Sequence, residues 1–167
     1  MISLTHDEER LRDHLIGIAA NADPEHPETS VVTYEQIAKA LDPDCRIGWN
    51  QPRRYTRLIT ALYHVLKYEA ERRRPLLTAF VGRKTGAGKG IPGDGFFWAA
   101  REANCLTSDS PEDEYAFWKG ELAALVKLWS APNGKRAGGT GLSDSQFDAI
   151  MGELSTIKKM VRQLLHS

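Results

Sequence analysis

Four helix-start signals punctuate this chain, and they limit its fold more than any other feature. Thr5-His6-Asp7-Glu8 and Thr33-Tyr34-Glu35-Gln36 both have the form of a capping box, in which the first and fourth side chains each satisfy a backbone N–H of the other residue. Pro52 suits the first turn of a helix, where no N–H is needed. Ser110-Pro111-Glu112-Asp113 joins a cap, a proline and two acids at the positive end of the helix dipole.

Helical periodicity follows each signal. Leu11, Leu15, Ile18 and Ala19 recur until Asn21 to Pro27 break the pattern, which predicts a first helix. After the β-branched run Ser30-Val31-Val32, a short second helix reaches Leu41, with Val32 and Ile37 placed as a hydrophobic staple. From Pro52 a long third helix runs to about Arg73. Its apolar stripe is Tyr55, Leu58, Ile59, Leu62 and Leu66, and Arg53, Arg57, Thr60, His64 and Lys67 lie opposite. Beyond Ser110, Tyr115, Trp118, Leu122, Leu125, Val126 and Trp129 give another helix an aromatic-rich apolar face.

Between these helices, Leu76 to Val81 has the composition of a largely buried strand. A glycine-rich basic loop, Gly82 to Gly90, comes next, and Ile91 to Gly95 close it before Phe96-Phe97-Trp98. The expected fold is therefore mainly α with a small β-element: a helical, winged-helix-like domain over residues 1–129, a flexible Gly/Ser/Asn-rich linker over 130–143, and a C-terminal amphipathic helix over 144–167. In that last segment Phe147, Ile150, Leu154, Ile157, Val161 and Leu164 repeat at the three-four spacing of a coiled-coil seam. A helix of that length is marginal alone in water, so it is expected to form a homodimer or dock on a partner protein.

Charge narrows the function. The chain has 22 Lys or Arg and 22 Asp or Glu, yet residues 45–90 hold eleven of the basic residues and only two acids, Glu69 and Glu71. Residues 1–44 compensate with ten acids against three bases. Such segregation repels itself unless an anion docks there, and nucleic acid is the commonest such anion. An acidic protein partner is the competing explanation.

Several chemistries find no motif. No run is long and apolar enough to span a bilayer, and the opening MISLTHDEER is polar and acidic where a signal peptide is basic then apolar, so a cytoplasmic protein with no membrane partner is expected. Cys45 and Cys105 form no CxxC pair, and the five histidines lack metal-ligand spacing, so no metal and no cofactor is expected. Gly88-Lys89 resembles the end of a P-loop, but Arg83 stands where its first glycine belongs and Gly90 where Ser or Thr would hold magnesium. No GxSxG elbow is present. Asp94, between two glycines, is the one carboxylate placed for an enzymatic reading, and a turn or helix-cap role competes with it. Trp98, Trp118 and Trp129 are assigned to the core; Trp49, in the loop before the third helix, is placed to stack on a base or to pack over the helix start.

Short helix, long basic helix, strand and glycine-tipped basic loop is the order of a winged helix-turn-helix. Thr33 to about Phe96 also resembles the DNA-binding domain of the alkylguanine alkyltransferases and alkyltransferase-like proteins. Thr33-Tyr34-Glu35-Gln36-Ile37-Ala38 matches the family's T-Y-x-x-(I/L/V)-A element, and Pro52 and Ala61-Leu62 match its recognition helix. The resemblance implies a DNA contact for Tyr34. It does not extend to alkyl transfer, because the Pro-Cys-His-Arg acceptor motif is absent from Leu76–Val81, nor to the base-flipping arginine, whose position is Thr56.

The sequence thus leads to a non-enzymatic, prokaryotic-type binder of duplex DNA, with RNA as the other candidate nucleic acid. Its expected contact residues are Tyr34, Trp49, Arg53, Arg54, Arg57, His64, Arg83, Lys84 and Lys89. An interaction subunit of a larger protein or ribonucleoprotein assembly, docking through the heptad helix, is the alternative.

Overall fold

The computed structural model describes residues 1–51, 54–84, 89–130 and Arg162. Arg53, the tip of the glycine-rich loop, the linker from Ala131 and all six heptad positions lie outside the described residues. Within them the chain is mainly helical: α1 (His6–Asn21), α2 (Tyr34–Leu41), α3 (Thr56–Glu71), α4 (Asp94–Glu102) and α5 (Pro111–Trp129), with 3-10 turns at Pro27–Ser30 and Leu77–Phe80.

The local signals act as their chemistry dictates. Both capping boxes close: Thr5 Oγ1 accepts from Glu8 N–H and the Glu8 carboxylate accepts from Thr5 N–H, and Thr33 and Gln36 do the same at α2. Ser110 caps α5 by accepting from Asp113 N–H. The third helix starts later than expected, at Thr56 with Tyr55 as its N-cap, and ends at Glu71 where Arg73 takes a left-handed φ of 56°. There Arg74 N–H closes the last turn on Glu69 O at 3.0 Å, an arrangement that usually selects glycine at the left-handed position.

Leu76–Val81 is not a strand. Its centre, Leu77–Phe80, is a 3-10 turn packed against α1, α3 and α5, and every residue from Leu76 to Val81 is buried. A buried backbone must satisfy its polar groups, and here helices replace a sheet as the partners. Glu121 of α5 accepts from Leu76 N–H at 2.7 Å, and Trp118 Nε1 donates to Ala79 O at 2.8 Å. Only at the end of the segment does β-pairing occur, where Val32 N–H donates to Phe80 O and Gly82 N–H to Val32 O, each at 2.8 Å. The expected β-element thus reduces, among the described residues, to isolated bridges at Val32 with Val81 and at Arg83 with Lys89.

Around this turn sit Leu11 and Leu15 of α1, Leu58, Val65 and Leu66 of α3, and Leu122 and Leu125 of α5, all essentially without exposure. Truncating Phe80 at the centre to alanine would cost about 3–5 kcal/mol.

Three apolar placements differ from expectation. Trp98 is 55% exposed and Tyr115 49%, and Ile59, assigned to the buried stripe of α3, is 48% exposed. The buried face of α3 is instead Leu58, Ala61, Leu62, Val65, Leu66 and Glu69. That rotation puts Ile59 on the flank toward α4 and brings a carboxylate into the core.

Candidate nucleic-acid interface

The start of α2, the start of α3 and the basic loop meet on one side of the molecule. Tyr34, first residue of α2, stacks on Tyr55, the N-cap of α3, with ring centroids 6.1 Å apart and planes 29° from parallel. Lys84 of the loop donates to the Glu35 carboxylate, beside Tyr34. Arg83 pairs with Asp94 at 2.9 Å, tying the loop to the first turn of α4.

The loop itself is pinned at its base. Arg83 N–H donates to Ile91 O and Gly90 N–H to Arg83 O, both at 3.0 Å. Gly82 is required for this closure, because a Cβ there would lie 2.9 Å from the carbonyl atoms of Gly90 and 2.7 Å from Val31 Cγ1. No real Cβ tolerates such contacts, so an alanine would force the two strands of the loop apart.

The chain between α2 and α3 is organised by Asp42. Its buried carboxylate accepts from the N–H groups of Ile47, Trp49 and Asn50 at 3.2, 2.7 and 3.2 Å. Burial alone would raise this carboxyl, but the backbone donors outweigh it and hold it below the ordinary value. The turn delivers Gly48, at φ 81°, under the Arg57 guanidinium. It also carries Trp49 into the core at 5% exposure, which removes that residue from the base-stacking role and favours packing over the helix start.

The electrostatics separate the basic residues into two sets. Lys84 and Arg83 have acid partners. Hydrogen bonds from Lys39 and then Lys84 lower Glu35 to about 2, and the same bond raises Lys84. Arg54, Arg57 and Lys89 are exposed and have no carboxylate partner among the described residues. Burial raises the Tyr34 phenol against the opposing pull of Arg83, so it remains a neutral hydroxyl.

His64 is engaged elsewhere, its Nδ1 2.7 Å from Glu8 Oε1, where it links α3 to the first turn of α1. Asp94 is the first residue of α4, neither a turn former nor a cap; Gly93 is the N-cap, and the Asp94 carboxylate faces solvent and Arg83. Among the described residues no three His, Cys, Asp or Glu side chains converge to hold a metal ion, and no helix is long and apolar enough to cross a membrane. Tyr55, Glu35 and the Arg83–Asp94 pair are components the sequence did not announce. The only signal was the aromatic at position 55, which helical periodicity assigned to packing.

Helices α1, α2 and α5 each have a side-chain N-cap, whereas among the described residues α3 and α4 have none. The first turn of α3 also contains no acid. Among the described residues no acidic or capping side chain meets the positive end of its dipole beside Arg54 and Arg57, an arrangement that attracts an anion. Comparison with protein-family models, with curated proteins and with solved structures finds no match to this chain.

Proposed function

We propose that this chain is a non-enzymatic binder of duplex DNA that uses the start of α3 and the basic loop in the manner of a winged helix-turn-helix. One observation carries the reading: Tyr34, the start of α3 at Tyr55 and Lys84 at the base of the basic loop converge on one face, although they come from three separated stretches of sequence. Arg54 and Arg57 would meet phosphates or base edges, Tyr34 would contact the backbone beside them, and Arg83, Lys84 and Lys89 would follow the strand from the loop. The likeness of Thr33–Phe96 to the alkyltransferase DNA-binding domain points the same way. The heptad run from Phe147 to Leu164 would pair two copies, giving a two-fold-related site.

A triple variant, Arg54→Glu, Arg57→Glu and Lys89→Glu, tests this. None of these residues has a described acid partner, so the fold should persist by circular dichroism while duplex binding falls at least a hundredfold. A triple variant that binds DNA as the parent does would refute the assignment of this face and direct attention to a protein partner.

A further inference from the structure

We propose a second site, for a small neutral aromatic molecule, in the cavity between α3 and α4. It has a volume of about 400 Å³, within the range of ligand pockets and large enough for one or two fused rings. Tyr34, Tyr63, Phe96 and Trp98 supply its aromatic walls, and among the described residues its lining includes no Lys, Arg, His, Asp or Glu. A charged ligand would therefore lose its hydration with nothing to replace it. Tyr63 and Trp98 face each other with ring centroids 6.0 Å apart and planes 30° from parallel. The two rings lean on each other as a tilted pair and together form an aromatic surface against which a flat guest can pack.

The second observation lies among the lining residues. Thr78, on the buried 3-10 turn, is 4% exposed, and its Oγ1 has no hydrogen-bond partner among the described residues. Such a group is destabilising unless something occupies its lone pairs or takes its proton. A cavity with largely apolar walls, an exposed tryptophan at its edge and one buried, unpartnered hydroxyl in its lining suits a planar apolar body bearing a single polar atom. The two features point to one ligand class: aromatic, uncharged, with one N–H or O–H to meet Thr78. This inference does not depend on DNA binding.

Indole and 1-methylindole are the probes, since they share a ring system and only indole has the N–H. Binding of each to the full chain is measured by isothermal titration, with the ligand contact checked by saturation-transfer NMR. Indole should bind about tenfold more tightly than 1-methylindole, the difference expected for one buried hydrogen bond. Thr78→Val should abolish that preference while changing 1-methylindole affinity less than twofold, and Thr78→Ser should restore it. Thermal melts of the two variants report whether the fold is retained, and the serine variant preserves the test if valine perturbs packing. Absence of indole binding up to millimolar concentration, or an indole preference that survives Thr78→Val, would overturn the proposal.

Discussion

The two ends of α3 each present a group of arginines, and the fold treats them oppositely. At the C-terminal end Arg72, Arg73 and Arg74 lie beside Glu69, which is fully buried and bonded to Arg12 of α1, with Arg74 Nη1 3.7 Å from its other oxygen. Arg72 is stacked on Tyr68, its guanidinium carbon 3.5 Å from the ring centroid, and Arg12 lies over Tyr68 and Trp129. This end is structural: its charges join α1, α3 and α5. At the N-terminal end Arg54 and Arg57 have no such carboxylate among the described residues, and the helix start is uncapped. The difference teaches that a basic run in sequence meets an anionic partner unopposed only where the fold brings no acid to it, and that an exposed pair such as Lys84 with Glu35 weakens a contact without removing it.

Removing the acid from the structural end should have the largest effect. Glu69→Ala leaves two partly buried guanidinium groups facing an empty carboxylate site and should destabilise the fold by about 3–5 kcal/mol in urea titrations. Its DNA salt dependence should stay unchanged where the variant remains folded. A loss below 1 kcal/mol would mean that Glu69 is not a structural hub.

At the other end, Arg57→Ala should leave the melting temperature nearly unaltered but reduce the slope of log K against log salt by about one. An unaltered slope would remove Arg57 from the interface. Smaller again is the effect at the left-handed C-terminus of α3. Arg73→Gly should stabilise by about 0.5–1 kcal/mol, because the residue there occupies a conformation that costs L-side chains energy. Destabilisation instead would show that the Arg73 side chain contributes more than its backbone costs.

The smallest effect concerns the partly neutralised loop. Glu35 titrates near 2, below its ordinary 4.5, so its attraction for Lys39 and Lys84 is complete above about pH 4.5 and is lost as pH falls toward 2. NMR titration of the Glu35 carboxyl should give a midpoint below 3, and an ordinary midpoint near 4.5 would show that the pair does not form in solution. Glu35→Gln, by freeing Lys84, should tighten DNA binding a few-fold with little change in stability.

Much of the helical architecture was legible, because capping boxes, a proline-led first turn and 3.6-residue periodicity are local signals. Thr5, Thr33 and Ser110 mark helix starts by themselves. The buried turn at Leu76–Val81 was not legible: an apolar run of six has strand composition, and only the positions of Glu121 and Trp118, more than thirty-five residues away, make a 3-10 turn affordable to the backbone. Trp98 and Ile59 were misplaced because periodicity gives a face but not which neighbour covers it. The candidate interface was half visible. Sequence located the basic segment, yet Glu35 lies 49 residues from Lys84 and Asp94 eleven from Arg83, so their neutralising contacts required the fold.

The central claim is that the open end of α3 and the basic loop form one electrostatic surface for duplex DNA. Fluorescence anisotropy with a random-sequence duplex, titrated from about 50 to 200 mM salt, tests it most directly. If the six basic groups Arg53, Arg54, Arg57, Arg83, Lys84 and Lys89 neutralise phosphates, binding should weaken with a log–log slope of about −5. No binding at 50 mM salt, or binding with a slope near zero, would contradict the account.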